Sequence, residues 1–444
     1  MRALKMGSCL PLDGPGGSSE PVSPSSPRSV ARRQNQKVGR KRAGPRTSSL
    51  DSKKVEELLR VPGRISTNGG STVASLFTQQ GWKGINKDAM LVWENFGPRS
   101  DTVFCGVFDG HGPYGHMVAR KVRDILPLKL SANLPADDNT ESTLGYPGSM
   151  NSDENSSVCL DKKSGLSIEF HGEGKHPEVF MTLKESFLKA FKVMDKELSL
   201  YNHVNSFYSG TTAVALVRQG QNIVIGNVGD SRAVLGTRDQ NGSLNAVQLT
   251  VDLKPNLPRE AERIKQCKGR VFALREEPQV ARVWLPNVDA PGLAMARAFG
   301  DFCLKEFGLI SVPEISYRCI TERDEFIVLA TDGVWDVLSN KEVVDIVASA
   351  SDRSSAARSL VTLAIRAWRL RYPTSKIDDC AVVCLFLNTG TSKEPANVIN
   401  SDVDGLLNGT DTGKNESSSP ATLDQPGPLC NPEILTDEGK QNPK

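Results

Sequence analysis

The sequence predicts an α+β fold built of antiparallel hairpins and amphipathic helices. Strand-like apolar runs follow one another with only a few turn residues between them, as in TTAVALVRQGQNIVIGNVGDSRAVL. Such short connections allow hairpins but leave no room for the crossovers that parallel strands need. Longer segments with helical periodicity lie elsewhere in the chain, and the two patterns together indicate a layered α+β domain.

Strands are predicted where short apolar runs are bounded by turn residues. These runs are Thr102–Phe108, Thr211–Val217, Asn222–Asn227, Arg232–Leu235, Ala246–Leu249, Glu325–Ala330 and Cys380–Leu387. Helices are predicted at Tyr114–Leu126, Val179–Leu198, Pro258–Gln266, Lys341–Ala350 and Ser354–Arg371. Pro127 is expected to end the first helix because proline has no backbone N–H to donate. In the last helix, Leu360 and Leu363 are expected to lie on one apolar face directed at the core.

Composition divides the 444 residues into one large folded domain and two tails. Residues 1–60 form a basic, Ser/Pro-rich segment, and residues 388–444 form a polar, acidic one. Both have too few large apolar side chains to offset the entropy of an ordered chain, so both are expected to be disordered. The folded domain is predicted at 61–387, with a polar surface insertion at 132–178.

The charge balance gives no indication of a nucleic-acid partner. The chain has 54 Lys and Arg against 52 Asp and Glu, a net charge of +2, whereas nucleic-acid binders carry a marked basic excess. The nine cysteines are scattered without a paired spacing, which favours reduced thiols in an intracellular protein of the nucleus or cytoplasm.

The first 46 residues contain two signals of location. The basic run at 31–46 is typical of a nuclear-localisation signal or an acidic-membrane contact, but a solvated tail explains it equally well. Met6 and Gly7, with Cys9 nearby, resemble an N-myristoylation site beside a palmitoylated cysteine. Gly7 would become the N-terminal residue only if translation began at Met6. The expected weak association with a membrane surface therefore requires initiation at Met6.

Four of the predicted strands carry an aspartate at one end. A single Asp-Gly pair is an ordinary turn signal, but carboxylates gathered without thiolates suit a hard divalent ion such as Mg²⁺ or Mn²⁺. The aspartates are Asp109, Asp230, Asp332 with Asp336, and Asp378 with Asp379.

Two residues beside Asp109 extend this candidate site. Gly110 would let the backbone approach an ion, so its carbonyl is a candidate ligand. His111 is a candidate proton donor to a leaving group, and a hydrogen-bonded structural histidine is the alternative.

Six motifs in order resemble those of the metal-dependent protein serine/threonine phosphatases, the protein phosphatase 2C family. The motifs are GVFDGHGPYG, SGTTAVALV, NVGDSRAVL, LAMARAFGDFCLK, VLATDGVWDVL and DDCAVVCL. The resemblance covers roughly Ser75 to Leu387, and GINKDAMLVWENFG and LKEFGLISVPE resemble the plant branch.

The resemblance implies a two-sheet antiparallel β-sandwich flanked by α-helices, with a binuclear Mg²⁺ or Mn²⁺ site at one end. By this resemblance Asp109 would bridge both ions, the Gly110 carbonyl would bind one, and Asp332 and Asp378 would bind the other. Asp378 matches the first residue of the family's Asp-Asn pair. Asp379 stands at the Asn position and is also a carboxylate, which leaves a one-residue ambiguity.

The resemblance also implies further residues around the metal ions, and this sequence differs from the family pattern at two positions. Asp230, Asp336 and Asp88 match positions for a weaker third ion or for metal-bound water. The family's phosphate-gripping Arg is replaced by Lys83, and the Glu of its Glu-Asp pair by Lys87. Lysine holds phosphate as a point charge without the paired contact that arginine makes, so weaker substrate binding is expected.

The implied function is a monomeric metal-dependent phosphatase that hydrolyses phosphoserine and phosphothreonine in phosphoprotein substrates through a water activated by two metals. Lys83 and Lys87 motivate one alternative, a catalytically weakened relative that binds phosphoproteins as a scaffold. A two-metal phosphodiesterase is another, but it would need a basic groove. Trp284 is consistent either with a mobile flap beside the site or with ordinary packing.

Overall fold

The structure is a computed structural model of the chain. It describes 57–58, 60–134, 177–201 and 205–388. The chain divides into two units, Met1–Gly390 and Thr391–Lys444, and every described residue belongs to the first. The predictions for the Met6 motif, the basic run, most of the insertion and nearly all of both tails fall outside the described residues.

Seventeen strands lie within the described ranges. They are β1 Arg64–Ile65, β2 Gly69–Gly70, β3 Ala74–Gln79, β4 Asp88–Glu94, β5 Thr102–His111, β6 Gly210–Thr211, β7 Ala213–Gln219, β8 Asn222–Val228, β9 Arg232–Arg238, β10 Leu244–Gln248, β11 Arg270–Ala273, β12 Ala281–Trp284, β13 Pro291–Leu293, β14 Phe299–Gly300, β15 Glu314–Cys319, β16 Asp324–Ala330 and β17 Cys380–Phe386.

The same ranges contain seven helices. They are α1 Gly115–Ser131, α2 Glu178–Leu200, α3 Pro258–Gln266, α4 Phe302–Lys305, α5 Asp332–Trp335, α6 Asn340–Ala348 and α7 Ala356–Arg371. Helix α6 begins with a capping box, in which the Ser339 side chain and Glu342 satisfy each other's backbone N–H groups.

The strands form two large sheets and one small one. The first large sheet has the order β1-β4-β5-β7-β8-β15, and β6 and β14 continue beside the end of β5. The second has the order β10-β9-β16-β17-β3-β2, and the small sheet is β11-β12-β13. Every strand pair in these sheets is antiparallel, as the short connections predict.

Three apolar layers hold the sheets and helices together. One lies between the two large sheets and contains Leu216 and Leu329, both fully buried. Another joins the first sheet to α1 and α2 through residues such as Phe187, and the third joins the second sheet to α6 and α7 through residues such as Trp368. The predicted two-sheet sandwich flanked by helices is confirmed.

The predicted end of the strand before Asp109 is wrong. Strand β5 continues through Asp109, Gly110 and His111, because their backbones pair with neighbouring strands: Asp109 lies opposite Asp88, and Gly110 lies opposite Thr211. Backbone pairing on both sides therefore outweighs side chains that disfavour a strand.

Two helix predictions are also corrected. Helix α1 does not end before Pro127 but includes it, because Leu126 and Leu130 on either side are both fully buried and their packing compensates for one missing hydrogen bond. In α7, Leu363 is exposed, and the buried face is formed instead by Leu360, Ala364 and Trp368.

Trp284 is a packing residue of the small sheet. It is fully buried, its ring stacks on Phe272 at 4.9 Å between centroids, and its indole N–H donates to the Phe272 carbonyl at 3.0 Å. Of the two interpretations for Trp284, the structure supports ordinary packing. Among the described residues, no helix is both long and apolar enough to cross a bilayer.

The layer between the sheets predicts a large cost for a cavity there. Leu329→Ala, at a fully buried position, is expected to lower the free energy of unfolding by about 2–5 kcal/mol. Leu370→Ala, at a position that is 73% exposed, is the matched control and should change it by about 0.5 kcal/mol or less. Urea unfolding followed by circular dichroism measures both, and equal losses would contradict this packing.

Candidate active site

The ends of the two large sheets meet at a hydrogen-bonded threonine. Asp88 on β4 lies opposite Asp109 on β5 in the first sheet. Thr331, which follows β16 of the second sheet, donates its hydroxyl to Asp88 Oδ2 at 2.7 Å. The same hydroxyl accepts from the Ala381 N–H at 3.0 Å. Thr331 thus links strands of both sheets directly beside the predicted carboxylates.

The backbone of Asp109 is held by hydroxyl groups. Its N–H donates to Thr212 Oγ1 at 3.0 Å, and its carbonyl accepts from the Thr211 hydroxyl at 3.0 Å. The Thr212 hydroxyl also lies 2.7 Å from Ser231 Oγ. Since Ser231 follows Asp230, these bonds hold the Asp109 strand and the Asp230 turn together.

Two glycines permit the close approaches that this site requires. A Cβ on Gly110 would lie 2.3 Å from the Gly115 carbonyl oxygen, and a Cβ on Gly333 would lie 1.9 Å from the Asp379 carbonyl oxygen. Neither distance is sterically allowed, so only glycine fits. The contact at Gly333 brings the start of α5, with Asp332, against the segment before β17.

Asp378 and Asp379 have different environments. Asp379 accepts the Gly81 N–H on one carboxylate oxygen and the Lys87 N–H on the other, both at 2.8 Å. Asp378 accepts one backbone N–H on Oδ1, from Asp379 at 3.0 Å, and its Oδ2 contacts the Lys83 ammonium group. The Asp379 carboxylate is therefore occupied by backbone donors, and the geometry favours Asp378 as the group that faces the cluster.

Burial and mutual repulsion raise the pKa values of the clustered carboxyl groups. Burial and Asp332 raise the pKa of Asp109 well above its usual range, and burial and Asp230 raise the pKa of Asp332. Burial and Asp332 raise the pKa of Asp378 to about 6. Burial and Asp379 raise the pKa of Asp88 well above its usual range. Each carboxylate thus disfavours ionisation of the others.

Asp230 and Asp336 lie on the other flank of the cluster. Burial raises the pKa of both, and Asp332 adds to the rise at Asp336. Asp230 Oδ1 is buried and has no hydrogen-bond partner among the residues that the structure describes. Lys254 is close enough for Asp230 to raise the pKa of its ammonium group.

Two lysines therefore border the carboxylates, Lys254 on one side and Lys83 on the other. Partial burial alone would lower the pKa of Lys83, but Asp378 and Asp332 raise it above the usual value. Lys87 joins the site through its backbone, because its N–H donates to Asp379 Oδ2 at 2.8 Å and its carbonyl accepts from the Gly110 N–H at 3.2 Å. The change from Glu to Lys therefore leaves both hydrogen bonds intact.

His111 is buried and paired with an aspartate. Its Nε2 lies 2.5 Å from Asp301 Oδ2, and each side chain is 1% exposed. The hydrogen bond agrees with a structural histidine, while its position in β5 beside Asp109 keeps it next to the cluster. Both interpretations from the sequence therefore stay open at this point.

The donor set suits a hard divalent cation. Within the described ranges, no three His, Cys, Asp or Glu side chains converge as a ready-made set of ligands. The site nevertheless contains buried carboxylates with raised pKa values and the partnerless Asp230 Oδ1. A divalent cation would relieve this repulsion, and oxygen donors are the ligands that Mg²⁺ and Mn²⁺ prefer.

Sequence reasoning missed several residues that build the site. Four of them lie within motifs that resemble the family, and membership in these motifs could have identified them: Thr212, Ser231, Asp301 and Thr331. Lys254 lies outside those motifs, and nothing in its local sequence distinguishes it from a surface lysine.

Comparison with known proteins now decides the family. The family model described as protein phosphatase 2C matches residues 74–368. The chain belongs to the protein phosphatase 2C family.

Plant relatives support this membership over most of the chain. "Probable protein phosphatase 2C 33" of Arabidopsis thaliana is 60% identical over 403 residues, which cover 87% of this chain and 81% of that protein. "Probable protein phosphatase 2C 14" of Oryza sativa subsp. japonica is 59% identical over 360 residues, covering 81% and 68%.

A solved structure shows the same fold. The serine-threonine phosphatase 2C from Toxoplasma gondii matches with a TM-score of 0.59 at 24% identity, and the match covers 74% of this chain and all of that one. The plant-like resemblance in the sequence is confirmed, and the chain is a protein serine/threonine phosphatase of a family that depends on Mg²⁺ or Mn²⁺.

The contrast between Asp378 and Asp379 predicts different effects of neighbouring substitutions. Mn²⁺ is expected to raise the thermal unfolding midpoint of the wild-type chain at pH 7.5. Asp378→Asn should remove most of that rise. Asp379→Asn, the matched control, should lower the midpoint of the metal-free protein, because two backbone N–H groups lose a charged acceptor, but should keep the rise with Mn²⁺.

The increase in the thermal unfolding midpoint that Mn²⁺ causes should also depend on pH. The pKa of Asp378 in the folded chain is raised to about 6. Protonation of Asp378 therefore stabilises the metal-free fold at low pH, and this stabilisation is lost as the pH rises through about 6. Metal binds the deprotonated form, so the rise should be large at pH 7.5 and small at pH 5. Differential scanning fluorimetry measures it, and a full rise in Asp378→Asn would contradict the assignment.

Proposed function

We propose that this phosphatase hydrolyses phosphoserine and phosphothreonine in proteins, and that its carboxylate cluster would hold two divalent ions, which would supply an activated water. One observation carries the proposal: the ends of both sheets bring the buried Asp109 together with the partly buried Asp332 and Asp378, and these carboxylates repel one another. Bringing like charges together costs free energy unless a cation balances them.

The residues present would divide the metal ligands among them. Asp109 would contact both ions, the Gly110 carbonyl would bind one, and Asp332 with Asp378 would bind the other. Bound divalent ions supply a water of lowered pKa and neutralise charge on the phosphoryl oxygens. We propose that Asp230, Asp336 and Asp88 hold a weaker third ion or ordered water.

Lys83 is the residue that we propose to bind the substrate phosphate. Its side chain is 29% exposed, more than that of Asp378 at 15%, and its ammonium group contacts that carboxylate. The Lys83 side chain is thus partly open to solvent while its ammonium group contacts a carboxylate of the cluster. We propose that this ammonium group attracts the substrate phosphate as a point charge, in place of the family's arginine.

His111 would protonate the departing oxygen of serine or threonine. The imidazole is 1% exposed, so the proton reaches that oxygen through one water or a small shift of the substrate. No side-chain nucleophile takes part, because the attacking group is water. One chain contributes every residue of the site, so a monomer suffices.

The scaffold alternative is not supported by the comparisons, which match phosphatases over most of the chain. The carboxylates that metal-dependent hydrolysis requires are also together in the fold. We therefore propose that Lys83 and Lys87 change the affinity for substrate and metal without abolishing catalysis.

Phosphate release from a phosphothreonine peptide tests this function. The full chain with Mn²⁺ should release phosphate, and EDTA should reduce release to the level of a buffer blank. Asp109→Ala should do the same while circular dichroism shows that it is folded. A phosphodiester measured beside the peptide should react far more slowly; faster diester cleavage, or full activity in EDTA, would refute the proposal.

The position of Lys83 predicts a change in substrate affinity. Lys83→Met should raise KM for the phosphopeptide by about tenfold to a hundredfold, the value of one charged hydrogen bond. Lys83→Arg should keep KM near that of the wild type or below it. Steady-state kinetics at saturating Mn²⁺ measures both.

The same lysine is expected to affect metal binding. Without its ammonium group beside Asp378, the Lys83→Met variant should be stabilised by lower Mn²⁺ concentrations than the wild type. Lys376→Met, an exposed position two residues before Asp378, is the matched control for the lost charge. An equal change of KM in both variants would show that Lys83 has no specific contact with phosphate.

A further inference from the structure

The LAMARAFGD motif places a buried carboxylate against His111. Asp301 Oδ2 lies 2.5 Å from His111 Nε2, although the two residues are 190 positions apart. Each side chain is 1% exposed. At this distance a charged acceptor forms one of the stronger hydrogen bonds of a protein interior.

The backbone holds Asp301 in an unusual conformation. Its φ of 51° and ψ of 47° lie in the left-handed region, and Gly300 before it also has a positive φ of 76°. This region is uncommon for residues other than glycine, although aspartate adopts it more readily than most. The Asp301 N–H donates to the Ser209 carbonyl at 3.0 Å, which fixes the turn to the loop that leads into β6.

A second support comes from helix α2. Asp195 accepts the Gly300 N–H at 2.9 Å and pairs with Lys305 at 2.7 Å. Phe191 on the same helix packs against Phe299, with ring centroids 4.9 Å apart. The turn that carries Asp301 is therefore fastened to a long helix on one side and to β6 on the other.

The pair fills a narrow slot beside β6. A Cβ on Gly210 would lie 2.2 Å from Asp301 Oδ2 and 2.6 Å from His111 Nε2. A side chain at Gly210 is therefore impossible without moving the pair. The slot restricts the imidazole to the orientation in which Nε2 meets Asp301.

The other ring nitrogen is not occupied by the described residues. His111 Nδ1 is buried and has no hydrogen-bond partner among them. The ring is close enough to the cluster to interact electrostatically with Asp230. With Nε2 held by Asp301, Nδ1 is the nitrogen left to exchange a proton.

We propose that Asp301 is a positioning residue that holds the His111 imidazole with Nε2–H toward its carboxylate and with Nδ1 as the proton donor. The inference rests on the proposed function. As the P–O bond breaks, its electron pair stays on the seryl or threonyl oxygen, which takes the Nδ1 proton directly or through a water. The attacking water forms the new P–O bond, and the proton it loses returns to Nδ1 through solvent.

Leaving-group dependence separates positioning from a purely structural role. A phosphothreonine peptide expels an alkoxide, which needs a proton, whereas p-nitrophenyl phosphate expels a stable phenolate, which does not. Loss of a positioned acid slows only the first reaction. Loss of structure slows both reactions in the same ratio.

The experiment measures kcat of the full chain with Mn²⁺ on both substrates. Asp301→Asn should lower kcat on the peptide by about a hundredfold, within the range for one acid catalyst, and should keep most of kcat on p-nitrophenyl phosphate. His111→Gln should show the same pattern. The variant that carries both Asp301→Asn and His111→Gln should be no slower than His111→Gln alone, because the two substitutions remove the same function, proton donation by His111.

Leu216→Ala is the structural control. It opens a cavity in the apolar layer between the sheets without touching His111 or the turn that carries Asp301, so a partial loss of folded protein should lower both kcat values in the same ratio. Mn²⁺ should raise the thermal midpoint of Asp301→Asn as much as that of the wild type, which shows an intact metal site independently of activity. Asp301→Ser replaces Asp301→Asn if the latter does not fold.

Two results would overturn the inference. One is a loss of both kcat values in the same ratio for Asp301→Asn, as for Leu216→Ala, and the other is an effect of Asp301→Asn that multiplies with that of His111→Gln. Failure of the proposed function is distinguishable, because then the wild-type chain itself would release phosphate from neither substrate, and this inference would fall with it.

Discussion

The enclosure of several carboxylates at the ends of two sheets is the constraint on which this structure depends. Asp109, Asp332 and Asp378 come from separate strands or their ends, and burial together with mutual repulsion raises the pKa of each. Flexible loops would move such charges apart. Hydrogen-bonded strands keep them together, and the Thr331 hydroxyl, which donates to Asp88, joins the two sheets where the charges meet.

The rest of the fold makes that arrangement rigid. The apolar layer between the sheets fixes their separation, and the outer helices cover their remaining faces. Gly110 and Gly333 let backbone segments approach where any side chain would collide. Lys83 and Lys254 supply positive charge at the borders of the cluster. Their single charges balance only part of the repulsion, which explains why this site suits divalent ions.

The histidine side of the site uses a different support. His111 follows Asp109 by two residues on β5, but its partner Asp301 belongs to a turn anchored on helix α2. The groups proposed to bind metal and the group proposed to donate a proton thus share strand β5 and have separate anchors. A substitution of Asp195, which holds this turn to helix α2, would therefore disturb the His111 imidazole while the carboxylates stay in place.

The sequence by itself determined the hairpins, most helices, the family motifs and the aspartates of the site, because apolar periodicity and short motifs are local properties. Only the tertiary structure decided that β5 continues through His111 and that α1 passes Pro127, since pairing and burial by distant residues outweigh local preference. It also distinguished Asp378 from Asp379 and joined His111 to Asp301. Those outcomes depend on which backbone donors and carboxylates meet in space, and sequence spacing does not contain that information.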